Sequence, residues 1–596
     1  MIRRYTATKD NTITNAYRES FATDAKDANM GASDILEVFS IYGQVRDAND
    51  NYSLEESRIL IQFDISQIQA DIDSEELDEN SQFYLRLFNA EHGRTLPMSF
   101  SLEASKVTTP WEEGTGLDME SYLDLTYGNG SSWNTANSNF VKATATLTLF
   151  SSPNIELTAT STGRGMNGRR FQIDILPDTG TDYVVEFKEI GPLGGIDKWT
   201  KVDITNPGTP RITSEELVEL INTGDIAGKT VTVIDPDGLR TLQTATGGGN
   251  VEMPDTGPDD EAFGDFSGGE GEWATEGGDY DESTTVSAYF DEGYEDLVIN
   301  VTSFVSDWLA DPTSNYGLII KLPDTATAEQ RSYYTKMFYA RGTSNFFKKP
   351  LLEARWDSQT KDQRNEFISG LENSVYLYNE VRGQLLDLQG LGLEDTPTIA
   401  FYEELGSTAI TEDVAAVVSK EETGIYKAVV TLTTSVEEIY DVWSVDGTEI
   451  LSGSITVAQQ TPSGAPSVND LVVSVLNKQD THYTGQTSRF YFYIREKNWS
   501  PNIYTVATSR PPSKIYDNLI YKISKVTTDE VIFDYDMTDN STTLSYDSNG
   551  NFFDLHINML QPNYVYEIRL ALFNVMTKSY QELPFKHRFR VVDNEY

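Results

Sequence analysis

The feature that most constrains this chain is a period-two alternation of apolar and polar residues in short runs. Ile59, Ile61 and Phe63 alternate with Leu60, Gln62 and Asp64, and Phe83, Leu85 and Leu87 alternate with Tyr84, Arg86 and Phe88. Successive side chains of a strand point to opposite faces of a sheet, so such runs read as strands. Turn-forming clusters divide them, among them Asp47-Ala-Asn-Asp-Asn51 and Tyr127-Gly-Asn-Gly130. The chain carries 32 Tyr and 27 Phe beside abundant Thr, Val and Ile, all of which suit a pleated surface. At 596 residues it is too long for one core, and about three to five domains are expected.

Charge and cysteine content exclude several functions. The formal net charge is −48, a field that repels phosphate backbones and anionic membrane surfaces. It suits solubility, a basic partner or cation binding. With no cysteine, disulfides, thiol nucleophiles and thiolate metal sites are absent, and folding in a reducing cytoplasm is compatible with the sequence. The first ten residues hold Arg3 and Arg4 but no apolar run after them, so they do not read as a secretory signal. No stretch approaches the ~20 apolar residues of a membrane span.

The pattern changes along the chain. Phe171–Ile175, Tyr183–Lys188 and Thr230–Ile234 read as strands. Between them, Thr213-Ser-Glu-Glu216 is a capping box, followed by the apolar stripe Leu217, Leu220 and Ile221, with Asn222 and Gly224 as stop signals. From Thr241 to Ile320 there are 18 Asp and Glu and no Lys or Arg. Within that stretch, Gly247 to Gly278 is expected to be a poorly ordered surface loop. A calcium-binding loop is its functional alternative, although no ligand spacing stands out. Leu297–Val301 reads as a strand. Thr302 is expected to cap a helix carrying Phe304, Val305, Trp308 and Leu309, which Asp311-Pro312 stops. Tyr316-Gly317 reads as a turn before a buried strand, Leu318–Leu322. Asp357 to Arg364 and Thr461 to Ser467 read as linkers. A helix over 363–385 competes with a strand there, but the Tyr/Val-rich end and Gly383 favour the strand. Arg489–Ile494 and Tyr564–Leu570 read as strands, and Asp547-Ser-Asn-Gly-Asn551 as a hairpin turn.

Little in the sequence speaks for catalysis. The four histidines, His92, His482, His556 and His587, show no metal-ligand spacing and read as isolated residues. No phosphate-binding loop, dinucleotide fingerprint or nucleophile elbow is present. Asp47 to Tyr52 begins like a calcium loop, then fails at Tyr52, where Gly is needed, and at Arg58, where Glu is needed. Asp235-Pro-Asp-Gly238 reads as a turn. No catalytic, metal or cofactor residue is assigned, and the chain is expected not to be an enzyme.

Four groups of motifs each carry a resemblance. Asn29-Met-Gly-Ala-Ser-Asp-Ile-Leu-Glu-Val38, Ser57–Ile65 and Trp111-Glu-Glu-Gly-Thr-Gly116 resemble the DNRLRE domain, a jelly-roll β-sandwich related to carbohydrate-binding modules. The likeness resumes at Trp273-Ala-Thr-Glu-Gly-Gly-Asp-Tyr280, Val301–Trp308 and Asn315-Tyr-Gly-Leu318, and closes at Lys349–Ala354. In the family the motifs at Trp133 and Trp273 lie close together. Here a long stretch separates them, which implies a domain inserted in a sandwich loop. Arg164–Arg169 and the Thr213 helix resemble small β-rich modules of phage and surface proteins. Tyr376–Leu385, Thr423–Ala428 and Tyr440-Asp-Val-Trp443 are similar to immunoglobulin-like modules. Lys497-Asn-Trp-Ser-Pro501 and Leu544–Gly550 resemble C-terminal modules in structural proteins of large marine tailed phages.

The expected fold is therefore all-β and multidomain. A jelly-roll sandwich spans residues 1–137 and 269–357, with an inserted β-rich (α+β) domain at 138–268 that includes the acidic Gly-rich loop. Immunoglobulin-like sandwiches follow at 372–459 and 467–596. The resemblance implies a structural component of a tailed-phage virion, in a tail, neck or fibre-type appendage. It would fold in the host cytoplasm and be exposed on the particle exterior. Its expected partners are other virion proteins and further copies of itself, without nucleic acid and without membrane insertion. The alternative is a carbohydrate-binding or receptor-binding module, on the virion or secreted, meeting a host-surface glycan. Trp273, Tyr280 and Tyr289 are then the candidate ring-stacking residues. No cofactor is expected beyond the calcium alternative.

Overall fold

The structure is a computed structural model. It describes residues 1–18, 24–46, 52–74, 76–93, 96–117, 130–137, 144–147, 155–159, 169–177, 183–190, 196–205, 213–223, 225–227, 229–233, 243–247, 261–265, 271–328, 330–382, 384–390, 395–411, 414–459, 470–498, 513–537, 539–575 and 577–594. The turn cluster at Asp47, most of those at Tyr127 and Arg164, the turn at Asp235, the linker at Thr461 and the Trp499–Pro501 end of the Lys497 motif lie outside the described residues. The chain is all-β and multidomain. It divides into two compact units, one of Thr6–Ile65 and Leu85–Leu351, the other of Met1–Tyr5, Ser66–Tyr84 and Leu352–Tyr596.

The first unit is built on a seven-stranded sheet. Its path runs Val286–Phe290, Phe100–Lys106, Leu318–Lys321, Tyr52–Gln62, Ile35–Arg46 and Tyr333–Tyr339, and Lys9–Thr14 also pairs with Tyr52–Gln62. The alternation read at Ile59–Ile61 does form a strand, but Ile59, Leu60 and Ile61 are all buried. Both faces of this central strand are covered, so each side chain contributes roughly 1.5–3 kcal/mol of apolar burial. Gly317, with φ +81°, makes the turn before Leu318–Lys321. A Cβ there would lie 2.1 Å from the Ile61 carbonyl oxygen, so only glycine fits.

Two of the resemblance motifs meet at Asn29. Its Nδ2 donates to the carbonyls of Glu113 and Ser131, each at 2.8 Å, and its Oδ1 accepts from the Gly31 and Gly116 N–H groups. All four hydrogen-bonding positions of this buried amide are filled. A Cβ on Gly116 would stand 2.0 Å from the Asn29 carbonyl oxygen, so the backbone packs where no side chain fits.

Residues 145–245 supply a core of their own, from Ala145 to Ala245. A five-stranded sheet, in the order Thr230–Val233, Ile196–Thr205, Tyr183–Ile190, Arg170–Pro177 and Glu261–Asp265, accompanies a three-stranded one. Helix Ser214–Thr223 forms as expected, and its capping box is reciprocal. Thr213 Oγ1 accepts the Glu216 N–H at 3.2 Å, and Glu216 Oε2 accepts the Thr213 N–H at 2.9 Å. Leu217, Leu220 and Ile221 are buried. The stretch read as a poorly ordered loop is corrected in part. Glu261–Asp265 is a strand paired with Arg170–Pro177, and Gly271, Trp273, Gly277 and Gly278 are buried. Thr302 is likewise not the cap of the next helix but its first residue. Asn300 Oδ1 accepts the Thr302 N–H at 3.0 Å.

In the second unit, Glu372–Tyr378, Ile425–Leu432 and Val414–Glu422 form one sheet. Phe367–Ile368, Thr448–Ala458, Glu438–Val445 and Thr398–Tyr402 form another. They enclose a core that includes Phe367, Tyr426, Val430 and Trp443. The C-terminal sandwich sets a four-stranded sheet with Thr487–Glu496 and Gly550–His556 at its centre beside a six-stranded one. Asp547 pairs with Gly550, so Ser548 and Asn549 form the expected two-residue hairpin loop. The run from Asp357 to Arg364 is not a free linker. The Asp362 N–H donates to the Tyr546 carbonyl at 3.0 Å, and the Tyr546 N–H donates to the Thr360 carbonyl at 2.9 Å. Arg364 grips the carboxylate of Asp441 through two nitrogens. Polar composition misleads here because several of these groups, Asp362 and Arg364 among them, have specific partners.

Candidate binding surfaces

The sequence-derived aromatic residues lie in the first unit, and the structure does not gather them. Trp273 is 5 % exposed and packs with Trp111, Trp133, Leu60 and Ile319. Its indole Nε1 donates to the Ser132 carbonyl at 2.8 Å. This corrects its expected exposure, because the ring is core and offers no face to a ligand. Tyr280 is half-buried and bridges to Val107. Tyr289, 64 % exposed, lies opposite Ser101. Val107 and Ser101 lie on one stretch of extended chain, six residues apart. At ~3.3 Å per residue this sets the two tyrosine positions about 20 Å apart. The three rings therefore make no continuous stacking platform.

Around Tyr280 the residues do form a cavity of ≈ 430 Å³, lined by Arg58, Thr109, Glu276, Asp279, Tyr280 and Glu282 among others. The Arg58 guanidinium lies 4.8 Å from the Trp133 ring centre and 5.8 Å from that of Tyr280, and its Nη1 donates to the Gly277 carbonyl at 2.9 Å. Asp279 accepts from Thr109 Oγ1 at 2.7 Å and from the Ala274 and Thr275 N–H groups. Lys321 Nζ sits 5.0 Å from the Tyr280 ring centre. Burial opposes the Lys321 charge, but Asp324 and the Tyr280 hydroxyl outweigh it and hold this ammonium above its ordinary value. The cavity thus has one aromatic wall, one cation in Arg58, the carboxylates of Glu276, Asp279 and Glu282, and threonine hydroxyls, a lining chemically suited to a polar ligand.

A different surface lies in the second unit. Of the large apolar residues exposed among the described residues, Val381, Leu385, Leu386, Leu405, Val417, Ile450 and Leu451 fall within the immunoglobulin-like segment, and Leu371 lies at its start. Val381, Leu386 and Ile450 line a cavity of ≈ 510 Å³ with Leu388 and Val445. Val417 is 70 % exposed on Val414–Glu422, the outer strand of its sheet. From Val414 to Val418 that edge carries no charge and no proline, the usual guards against pairing with another chain.

Shifted carboxyls lie elsewhere. Burial first, then the neighbouring Asp547 charge, pushes Asp362 up to about 6 against Arg364. Burial with Asp517 nearby pushes Glu366 up to about 7. Asp10 is raised to about 7 by burial, opposed by the Arg341 N–H that it accepts. None of the three lines a cavity described above. Among the described residues no cluster of His, Asp and Glu could hold a metal ion, and no helix is long and apolar enough to cross a membrane.

No family model matches the chain, and no curated protein matches it. Among solved structures it is similar to titin segment A168169, at 8% identity over 40% of this chain and 98% of that one, with a TM-score of 0.13. It is similar to domains 5–6 of the S-layer protein SbsC, at 12% identity over 40% of this chain and 95% of that one, with a TM-score of 0.18. It is also similar to the Escherichia coli adhesin FdeC, at 9% identity over 72% of this chain and 98% of that one, with a TM-score of 0.13. At these TM-scores none of the likenesses bears on what this chain does.

Proposed function

We propose that this chain is a non-enzymatic structural component of a tailed-phage virion, in a tail, neck or fibre-type appendage, and that it acts by protein–protein assembly. The observation that carries the reading is the concentration of exposed Leu, Val and Ile on the immunoglobulin-like segment, beside an outer strand whose first half, Val414 to Val418, carries no charge, the charges falling only at Lys420 to Glu422. Apolar surface of this kind is costly on a free protein and marks contact with other chains. The resemblance of the flanking motifs to phage structural modules supplies the setting. Partners are then other virion proteins or further copies of the chain, on the particle exterior. Mass spectrometry of purified particles tests this. Stoichiometric amounts of the chain are expected, and its recovery only as a free monomer outside particles overturns the reading.

The second reading is glycan binding at the Tyr280 cavity, favoured by its aromatic wall and hydroxyl-rich lining. A glycan array read with wild type and Tyr280→Ala decides it. Binding lost in the variant supports it, and an array silent for both removes it.

A further inference from the structure

We propose that His482 and His587 form an acid-sensitive latch that holds the edge strand Thr481–Tyr483 onto the C-terminal sandwich. The strand is three residues long and pairs in parallel with His587–Val592 at the end of its sheet. Thr481 and Tyr483 face solvent, so His482, 3 % exposed, is the one side chain of the strand in the core. His587, 5 % exposed, enters the same space from the neighbouring strand. Both rings meet the same two phenylalanines. His482 lies 5.0 Å from Phe490 and 5.2 Å from Phe589, and His587 lies 6.1 Å and 6.3 Å from them.

This site suits two neutral imidazoles and poorly suits two cations. His482 Nδ1 pairs with the Ser488 hydroxyl at 2.8 Å, with Gln486 Nε2 3.4 Å away, but neither ring has a hydrogen-bond partner for Nε2. The charged groups nearby give little help. Lys478 and Asp480, next to the edge strand, pair with each other in solvent. Ile568 lies opposite His587, and the adjacent Glu567 is engaged by Arg569 and Arg588. Strand Thr487–Glu496 presents Ser488 and Phe490, and His587–Val592 presents Phe589. Burial therefore lowers both rings below the ordinary imidazole value. The Gln479 backbone opposes this at His482. Lys478 and His482 add to it at His587, where Asp480 opposes it.

A released segment has ordinary histidines, which protonate near pH ~6.5. Below that value each pH unit favours release by up to about tenfold per histidine. Release breaks the hydrogen bonds from Arg590 N–H to the Asp480 carbonyl and from Thr484 N–H to the Val592 carbonyl. It bares the edge of His587–Val592, which can then pair with another strand.

Hydrogen exchange of the full chain, corrected for the intrinsic rate at each pH, tests the latch. On going from pH ~7.5 to ~5.5, amides at 478–486 and those of Arg590 and Asn594 are expected to lose protection by about tenfold or more, while Val591, which donates to the Tyr564 carbonyl, and Ile425–Leu432 keep theirs. His482→Phe is expected to hold that protection at the lower pH. If that variant is already loosened at pH ~7.5, His587→Phe carries the decision and is expected to blunt the acid response. Unchanged protection in the wild type, or an undiminished acid response in His587→Phe, overturns the proposal.

Discussion

Removing the Arg364 guanidinium should unfold the immunoglobulin-like segment more readily than any surface change. Asp441 has no exposed side-chain surface, and it is held by two Arg364 nitrogens and by Trp443 Nε1 at 2.7 Å. In Arg364→Ala the carboxylate stays buried with only the indole as donor. Stranding a buried charge in this way costs about 3–5 kcal/mol. Asp441→Asn in that background removes the charge while keeping an acceptor for Trp443, so about half of the loss should return, roughly 2 kcal/mol. The geometry makes a sharper demand at Gly453. A Cβ there would stand 2.5 Å from Arg364 Nη1, so Gly453→Ala drives the arginine off its partner. Its cost should be at least about 2 kcal/mol in wild type and about 1 kcal/mol less beside Arg364→Ala, where only the 3.1 Å approach to Asp441 Oδ1 remains. Urea unfolding followed by tryptophan fluorescence measures all four variants. A loss under about 1 kcal/mol for Arg364→Ala, or simple additivity of Gly453→Ala and Arg364→Ala, refutes the reasoning.

Other outcomes follow from the same structure. Thr213→Ala breaks one arm of the capping box and should cost about 1 kcal/mol, seen as faster hydrogen exchange in Ser214–Thr223. Gly317→Ala should lower stability by at least about 2 kcal/mol in thermal or urea unfolding, since both its positive φ and the Ile61 carbonyl oppose a methyl group. Asp10, raised to about 7, holds its proton in the folded state after the unfolded chain has lost it. Its contribution is complete below about pH 4 and declines as pH rises to about 7, by up to roughly 1.4 kcal/mol per unit. Urea unfolding across that window should show Asp10→Asn gaining steadily on wild type, and a constant difference counts against the shift. Trp273→Ala should cost about 3–5 kcal/mol, whereas Tyr289→Ala should change stability by less than about 0.5 kcal/mol in the same unfolding assay.

What was legible in the sequence was local. The Thr213 capping box, the stripe behind it, the strands at Phe83 and Arg489 and the hairpin at Asp547 each depend on residues a few positions apart. Their chemistry is written in short patterns. What was illegible depends on residues brought from far along the chain. Asp357–Arg364 reads as a linker because its partners, Tyr546 and Asp441, lie far away in sequence. Trp273 reads as a surface ring because nothing near it reveals Trp111 and Trp133 around it. His482 and His587 read as isolated because only the parallel pairing of their strands brings them to the same two phenylalanines. The Asn29 motif signalled its importance, but not that its amide ties three separate backbone segments.

The described residues on either side of 138–270 meet. Ala136 N–H donates to the Gly271 carbonyl at 2.9 Å, and Thr135 bridges Glu272. The segment that leaves at Asn137 therefore returns one hydrogen bond away. For an engineer this is a socket: the host backbone is tied together on either side of the guest, and the guest's described core is drawn from its own residues. Replacing 138–270 by a short Gly/Ser bridge should leave the host folded. Another domain with neighbouring termini should be accepted in its place, so what the chain displays there can change without redesigning what carries it.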